Sequence, residues 1–293
     1  IDLLKTKNDW SNLKKIAGLR KSSSSSYSQF SADDINKYFA SVYQKADFNT
    51  DFSLECLSNN KVSVNSQEVK QLLKSTKKSG GLPWFPAWII NKYSTELTPI
   101  LTTLINECFE KCIFPSCLKL ASIIPIPKTN PVKAIEDLRP ISLLNPISKV
   151  IEKLILKKLI LPLCNNTIFT DQFAFVPLPG RGAQVAVTLA YGKIIEILDE
   201  NKEPHLALID LSKAFDNAQC SNILNILASN GASQQLLRLI YSFMIDRKHA
   251  VKSNGYQSNL ANVDSGVPQG SILGPILFAF LMSSLKPCHD DTT

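Results

Sequence analysis

An α+β fold is what this sequence predicts, and three observations carry the prediction. Apolar residues recur at helical spacing over long stretches, as in Leu97, Ile100, Leu101, Leu104, Ile105, Cys108 and Phe109. Two short runs read as strands instead: Leu120–Pro127, which is β-branched and closed by prolines, and His205–Leu211, apolar on a nearly continuous face. The composition, 44% hydrophobic and 19% charged, suits a chain that buries a sizeable core.

The elements follow in order. Residues 1–64 are polar and weakly patterned and are expected to form an N-terminal connector, with Ser22–Ser26 as a flexible spacer. Within it, Ser31 to Asp34 followed by Ile35, Tyr38, Phe39 and Val42 reads as a short capped helix. Asn65 and Glu68 make a capping box for a helix to about Lys77, which Lys78–Gly81 breaks. An aromatic loop over 82–94 leads to the long helix and then to the 120–127 strand. Asn145-Pro146 is an N-cap and first-turn proline for a helix to about Leu161. A Pro/Gly-rich loop, Asp171–Gly182, precedes a helix over 183–198. The strand at 205–211 is expected to be buried on both faces. Helices over 217–229 and 233–246, a hairpin of 250–253 with 261–264 around Gly255, a turn at Gly266–Gly270 and a helix over 272–285 complete the order. No internal repeat is present.

The net charge is +7 and uneven: residues 1–150 hold 20 Lys+Arg against 13 Asp+Glu, and residues 151–293 hold 12 of each. The basic half suggests either a polyanion partner or a solvated basic surface. Seven scattered cysteines and no secretory signal suggest an intracellular chain with reduced thiols. Cys108, Cys112 and Cys117 fit no zinc spacing and read as apolar core. No apolar run reaches the roughly 18 residues of a membrane span. The chain starts at Ile1 without a Met, as expected of a piece of a longer product.

Two segments carry the candidate chemistry. Asp210 closes the 205–211 run, with Asp216 six positions on, and Ser265–Pro275 is a Pro-Gln-Gly turn opening an apolar helix. A carboxylate at the end of a buried strand is costly without a cation, and two-metal phosphoryl transfer needs such carboxylates. Taken alone, Asp210 reads equally as a strand-end residue capping the next helix, Phe215 as core, and Asp216 as an N-cap.

The full strings narrow these readings. Asp210-Leu211-Ser212-Lys213-Ala214-Phe215-Asp216 and Ser265-Gly266-Val267-Pro268-Gln269-Gly270-Ser271, with Gly274-Pro275, resemble the two hallmark motifs of reverse transcriptases of non-LTR, Jockey-like retrotransposons. Ile123–Lys128, Asp137–Leu144 and Lys149–Lys153 are similar to that family's upstream motifs, and the likeness spans about 77–287.

The resemblance implies a right-hand polymerase in the domain 65–293. Mostly helical fingers would occupy about 65–200, and an incomplete palm with a small antiparallel sheet about 201–293. It implies RNA-directed DNA synthesis on an RNA template and a DNA primer with dNTP, using two Mg2+ ions or Mn2+ in their place. Asp210 would be the catalytic, metal-binding residue and Phe215 the sugar gate. Gln269 and Gly270 would lie against the nucleotide, Arg139 and Lys128 would steady its triphosphate, and Gly266, Pro268 and Arg181 would touch template and primer.

The family's third hallmark is an aromatic-Ala-Asp-Asp hairpin. Cys288-His289-Asp290-Asp291 resembles it in letters, but Lys286-Pro287 precedes it where a strand should be. That segment is read as a loop, so this stretch by itself is expected not to polymerise. A non-catalytic RNA/DNA-binding relic or domesticated copy, an intron-maturase relative and a protein-interaction scaffold are the alternatives.

Overall fold

The computed structural model describes residues 27, 29–42, 62–77, 81–82, 85–164, 168–263 and 265–285. Asp290 and Asp291, the serine run and Trp84 lie outside the described residues. Helix α1 (Ala32–Val42) is followed by α2 (Ser66–Ser75), a two-residue ladder of β1 (Gly81–Leu82) with β2 (Phe85–Pro86), α3 (Ala87–Lys92) and α4 (Ser94–Lys111). The predicted capping box is present: Asn65 Oδ1 accepts from Glu68 N at 2.9 Å, and Glu68 Oε2 accepts from Asn65 N at 3.2 Å. Strands β3 (Leu120–Pro127) and β4 (Leu138–Leu143) precede α5 (Pro146–Ile155), where Asn145 accepts from Ile147 N at 2.9 Å beside Pro146 in the first turn. Then come α6 (Ala183–Asp199), α7 (Cys220–Ser229), α8 (Gln234–Met244), β5 (Arg247–Ser253), β6 (Tyr256–Gln257), β7 (Ala261–Val263) and α9 (Leu273–Met282).

The five-stranded sheet is mixed. Antiparallel β3 and β4 pair Ile124 with Ile141, parallel β3 and β5 pair Ser122 with Ala250, and β6 and β7 both add to β5 in antiparallel register. This corrects the expected small antiparallel palm sheet: the strands come from 120–143 and 247–263, and the central pairing is parallel.

One large core packs the helices. It includes Phe109 of α4, Ile151 of α5, Leu227 of α7, Phe243 of α8 and Phe280 of α9, all sealed from solvent, with Phe169 edge-on to Phe280 at 4.9 Å. A smaller core lies on the sheet, where Ile35 and Phe39 of α1 meet Ile123, Leu138 and Val251. Helix α1, placed by the sequence in a connector, is therefore packed on the sheet. The apolar pair Ile35 and Phe39, one turn apart, supplies the contact.

The largest departure is at 205–211. The sequence predicts a buried strand there; the structure has no strand, and Leu208 and Ile209 are 89% and 86% exposed. The physical reason is pairing. Among the described residues no strand is hydrogen-bonded to this segment, so its backbone is left to water. Helix α6 before it buries no residue, and its Val187, Leu189 and Tyr191 face solvent. No helix among the described residues is long and apolar enough to cross a membrane.

These placements predict hydrogen exchange directly. Amides of 205–211 should exchange on about the second timescale at neutral pH, while those of Ile123 and Ile124 in β3 remain protected for orders of magnitude longer. Mass-spectrometric exchange on the whole chain checks this, and protection at 205–211 would mean that the segment is paired in solution.

Candidate functional site

The turn between β7 and α9 is built by close backbone approach. Gly266 has φ +82, and a Cβ on it would sit 2.7 Å from the Asp216 carbonyl oxygen and 2.8 Å from that of Phe215. Gly270 has φ +121, and a Cβ there would sit 2.5 Å from the Ser142 carbonyl oxygen of β4. Both positions need glycine for its positive φ and for its missing side chain. The same approach is sealed by hydrogen bonds. Gly266 N donates to Ala218 O at 3.1 Å, Val267 N to Phe215 O at 2.9 Å, and Ser142 N to Gln269 O at 2.8 Å. Pro268 O takes the Ser271 N–H and hydroxyl, and Ser271 Oγ in turn accepts from Gly274 N at 2.9 Å, which caps the first turn of α9.

A buried carboxylate supports this turn from behind. Glu152 of α5 is fully buried; its Oε2 accepts from Ile272 N at 2.6 Å and Leu273 N at 3.3 Å, and its Oε1 from the Ser148 hydroxyl at 3.0 Å. A carboxylate at a helix N-terminus meets the free N–H groups and the positive end of the dipole. Burial pushes its carboxyl above the usual range, opposed by the Ile272 N–H, Arg247, the Leu273 N–H and Ser148. His249 of β5 lines a small cavity with Ser142 and the Gly266–Pro268 turn; it is buried, and burial lowers its imidazole to about 4.

The structure brings five of the predicted site residues to one corner: Phe215, Gly266, Pro268, Gln269 and Gly270. Phe215 stacks on Phe278 of α9 at 4.9 Å and meets Phe175 edge-on at 6.0 Å. Asp216 corrects the N-cap reading, because α7 starts only at Cys220. Its carboxylate, 8% exposed, instead accepts from Gln269 Nε2 at 3.1 and 3.2 Å. Lys128 and Lys213 share a small cleft with Asp216, lined also by Tyr38 and Phe39 of α1.

Of the other predicted residues, Lys128 reaches the edge of the corner and Arg139, Arg181 and Asp210 are not brought to it. Lys128 Nζ donates to Glu136 O at 2.7 Å, closing the β3–β4 loop on itself. Arg139 is exposed on β4 opposite Ile126, three residues before Ser142. Arg181 Nη1 donates to Thr170 O at 2.8 Å, and its guanidinium lies over Phe173 at 5.0 Å, so it braces its own loop. Asp210 is exposed on the extended 205–211 segment rather than aimed by a buried strand, which corrects that expectation. Its carboxylate is a hard oxygen ligand of the kind Mg2+ prefers. Among the described residues, however, no three His, Cys, Asp or Glu side chains gather where an ion could sit, so these residues do not make a complete two-metal site.

Sequence reasoning missed Ser142, His249 and the load on Glu152. Ser148 and Glu152, spaced i, i+4 among the apolar residues of α5, were the readable signal for the last of these.

Comparison with known proteins places the chain as follows. A family model described as reverse transcriptase (RNA-dependent DNA polymerase) matches residues 126–288. The chain is similar to the RNA-directed DNA polymerase from mobile element jockey of Drosophila melanogaster, 31% identical over 237 residues covering 78% of this chain and 25% of that protein. To its Drosophila funebris counterpart it is 29% identical over 227 residues, covering 76% and 24%. It is also similar to a retrovirus-related Pol polyprotein from the type-2 retrotransposable element R2DM of Drosophila melanogaster, 26% identical over 230 residues covering 76% and 20%. The chain thus spans about a quarter of the length of these relatives.

Two outcomes follow from this geometry. Gly270→Ala should cost about 2–4 kcal/mol in urea denaturation, because a Cβ cannot be placed without displacing β4. His249 is held neutral in the fold but protonates near pH 6.5 when unfolded, so its contribution is complete above about pH 6.5 and is lost as pH falls toward 4. The loss is on the order of 3 kcal/mol, and His249→Gln should flatten that part of the stability–pH curve.

Proposed function

The chain belongs to the reverse transcriptase family, as a Jockey-like non-LTR member, and from that premise we propose that residues 65–293 are the fingers and part of the palm of a retrotransposon RNA-directed DNA polymerase. The observation that carries the reading is the corner itself: the two segments richest in family likeness, 210–216 and 265–271, meet backbone to backbone and close on β4, the strand that also bears Arg139.

In this reading an RNA template, a DNA primer and a dNTP meet at the corner. Arg139 offers a planar fork of donors suited to phosphate oxygens, and its exposure on β4 leaves it available to them. Lys128 is a weaker point charge because its amine already serves a loop carbonyl. Phe215, fixed by its stack on Phe278, presents a rigid aromatic edge where a sugar would be discriminated. Gly266, Pro268 and Gly270 would shape the turn that lies along template and primer, and Arg181 would hold template phosphate without reading sequence. Asp210 is the proposed metal ligand, with Mg2+ as the ion and Mn2+ as its substitute. The protein's share of the work is positioning the reactants.

Filter binding of this chain at rising salt, and primer extension by a longer chain that also carries an aromatic-Ala-Asp-Asp hairpin, both on an RNA template with an annealed DNA primer, test the proposal. Salt-sensitive binding with dNTP incorporation that Asp210→Ala abolishes is the expected signature of the polymerase. Binding that Arg139→Ala weakens by about tenfold, with no incorporation under any condition, would favour the non-catalytic relic; absence of binding would sink both readings.

A further inference from the structure

Gln269 is pinned at two places. Its backbone carbonyl takes the Ser142 N–H at 2.8 Å, and its side-chain nitrogen lies 3.1 and 3.2 Å from the two oxygens of Asp216. Asp216 is itself immobilised, because its N–H donates to Lys213 O at 3.0 Å and its carbonyl accepts the Ser265 hydroxyl at 3.2 Å. An ionised carboxylate can only accept, so the amide end that faces it must be the nitrogen. That fixes the orientation of a group whose two ends are otherwise interchangeable. Burial pushes the Asp216 carboxyl above its usual range, and the Gln269 amide, Lys213 and Lys128 oppose that shift. Among the described residues nothing donates to the Gln269 Oε1, and Gln269 itself is only half-buried.

We propose that Asp216 is a positioning residue that commits Gln269 to act as an acceptor. With its nitrogen drawn to the carboxylate, Gln269 turns only its oxygen to the corner. The corner then takes a hydrogen-bond donor from its ligand, a sugar hydroxyl or a base N–H, and turns away a phosphate oxygen. The inference deepens the reading of the corner as a nucleotide site and rests on it. It also assigns different work to the two aspartates of the 210–216 segment: Asp210 is offered to an ion, and Asp216 to a neighbouring side chain.

The test is a double-mutant cycle on the whole chain at pH 8, reading dTTP affinity in the presence of Mg2+ and an RNA template annealed to a DNA primer with adenine next to be copied. Asp216→Ala and Gln269→Ala should each weaken dTTP by about tenfold, and the double variant by no more than either. Asp216→Asn, which keeps an acceptor oxygen, should stay within about threefold of the wild type. Losses that multiply in the double variant, or an Asp216→Ala protein that binds dTTP normally, overturn the proposal.

A second readout separates it from the nucleotide reading. The side-chain amide signal of Gln269 in a 15N-glutamine-labelled chain, identified by its absence in Gln269→Ala, should show slowed hydrogen exchange that Asp216→Ala removes. If the wild type binds no dTTP, the nucleotide reading fails and this signal alone decides the positioning. If Asp216→Ala does not fold, the wild-type signal decides, and exchange at the rate of free glutamine overturns the proposal.

Discussion

The contact on which the rest of the structure depends is the wedging of the 265–270 turn between two backbones. On one side it touches Phe215 and Asp216, and on the other Ser142 of β4. Neither side has room for a Cβ, so the turn works as a spacer whose thickness is that of bare main chain. Because β4 is bonded to β3 and β3 to β5, that spacer joins the sheet to the helical core through α9. Chain segments 120 residues apart in sequence are thereby set to within hydrogen-bond precision of one another.

Buried charge clusters at the same corner, and the way it is satisfied explains why it is tolerated. An unpaired carboxylate in a core is costly, and each of the two found here has a distinct partner. Glu152 is met by the free N–H groups at the start of α9, so its role is tied to the helix that the turn opens. Asp216 is met by a neutral amide, with two lysines nearby. The first arrangement orients backbone and the second orients a side chain. Together they leave the turn few degrees of freedom.

Much of this was legible in the sequence because local rules decide it. The 120–127 strand, the Asn65/Glu68 box and the Asn145-Pro146 start all depend on residues within a few positions of one another, and each lies where the sequence places it; the turn at Gly255 is also present, but it pairs 252–253 with 256–257, while 261–263 pairs with 247–249 rather than with 250–253. The glycines of the turn were readable as sites of close approach, though not what approaches them. What failed is what pairing decides. Nothing local says that β3 runs parallel to β5, or that Ile35 and Phe39 leave their polar surroundings to pack on the sheet. Asp216 was read as a cap because the next helix was placed three residues early; the intervening turn makes it available to Gln269 instead.

The 205–211 segment shows the same limit at its sharpest, with a consequence for the chemistry. An apolar, β-branched run states a preference for burial, but burial of a strand needs a neighbour for its backbone as much as for its side chains. Where no neighbour is bonded, Leu208 and Ile209 stand in water and the preference goes unmet. The 210–216 segment therefore divides into two parts. Phe215 and Asp216 are fixed by the turn and by α9, whereas Asp210 is carried on a backbone that no ladder holds among the described residues. Reactive carboxylates gain from rigid support, since a displacement of an ångström is enough to weaken catalysis strongly. A strand paired with 205–211 would hold its backbone and, through it, the position of the Asp210 carboxylate, so the order of this segment and the placing of its side chain depend on the same pairing.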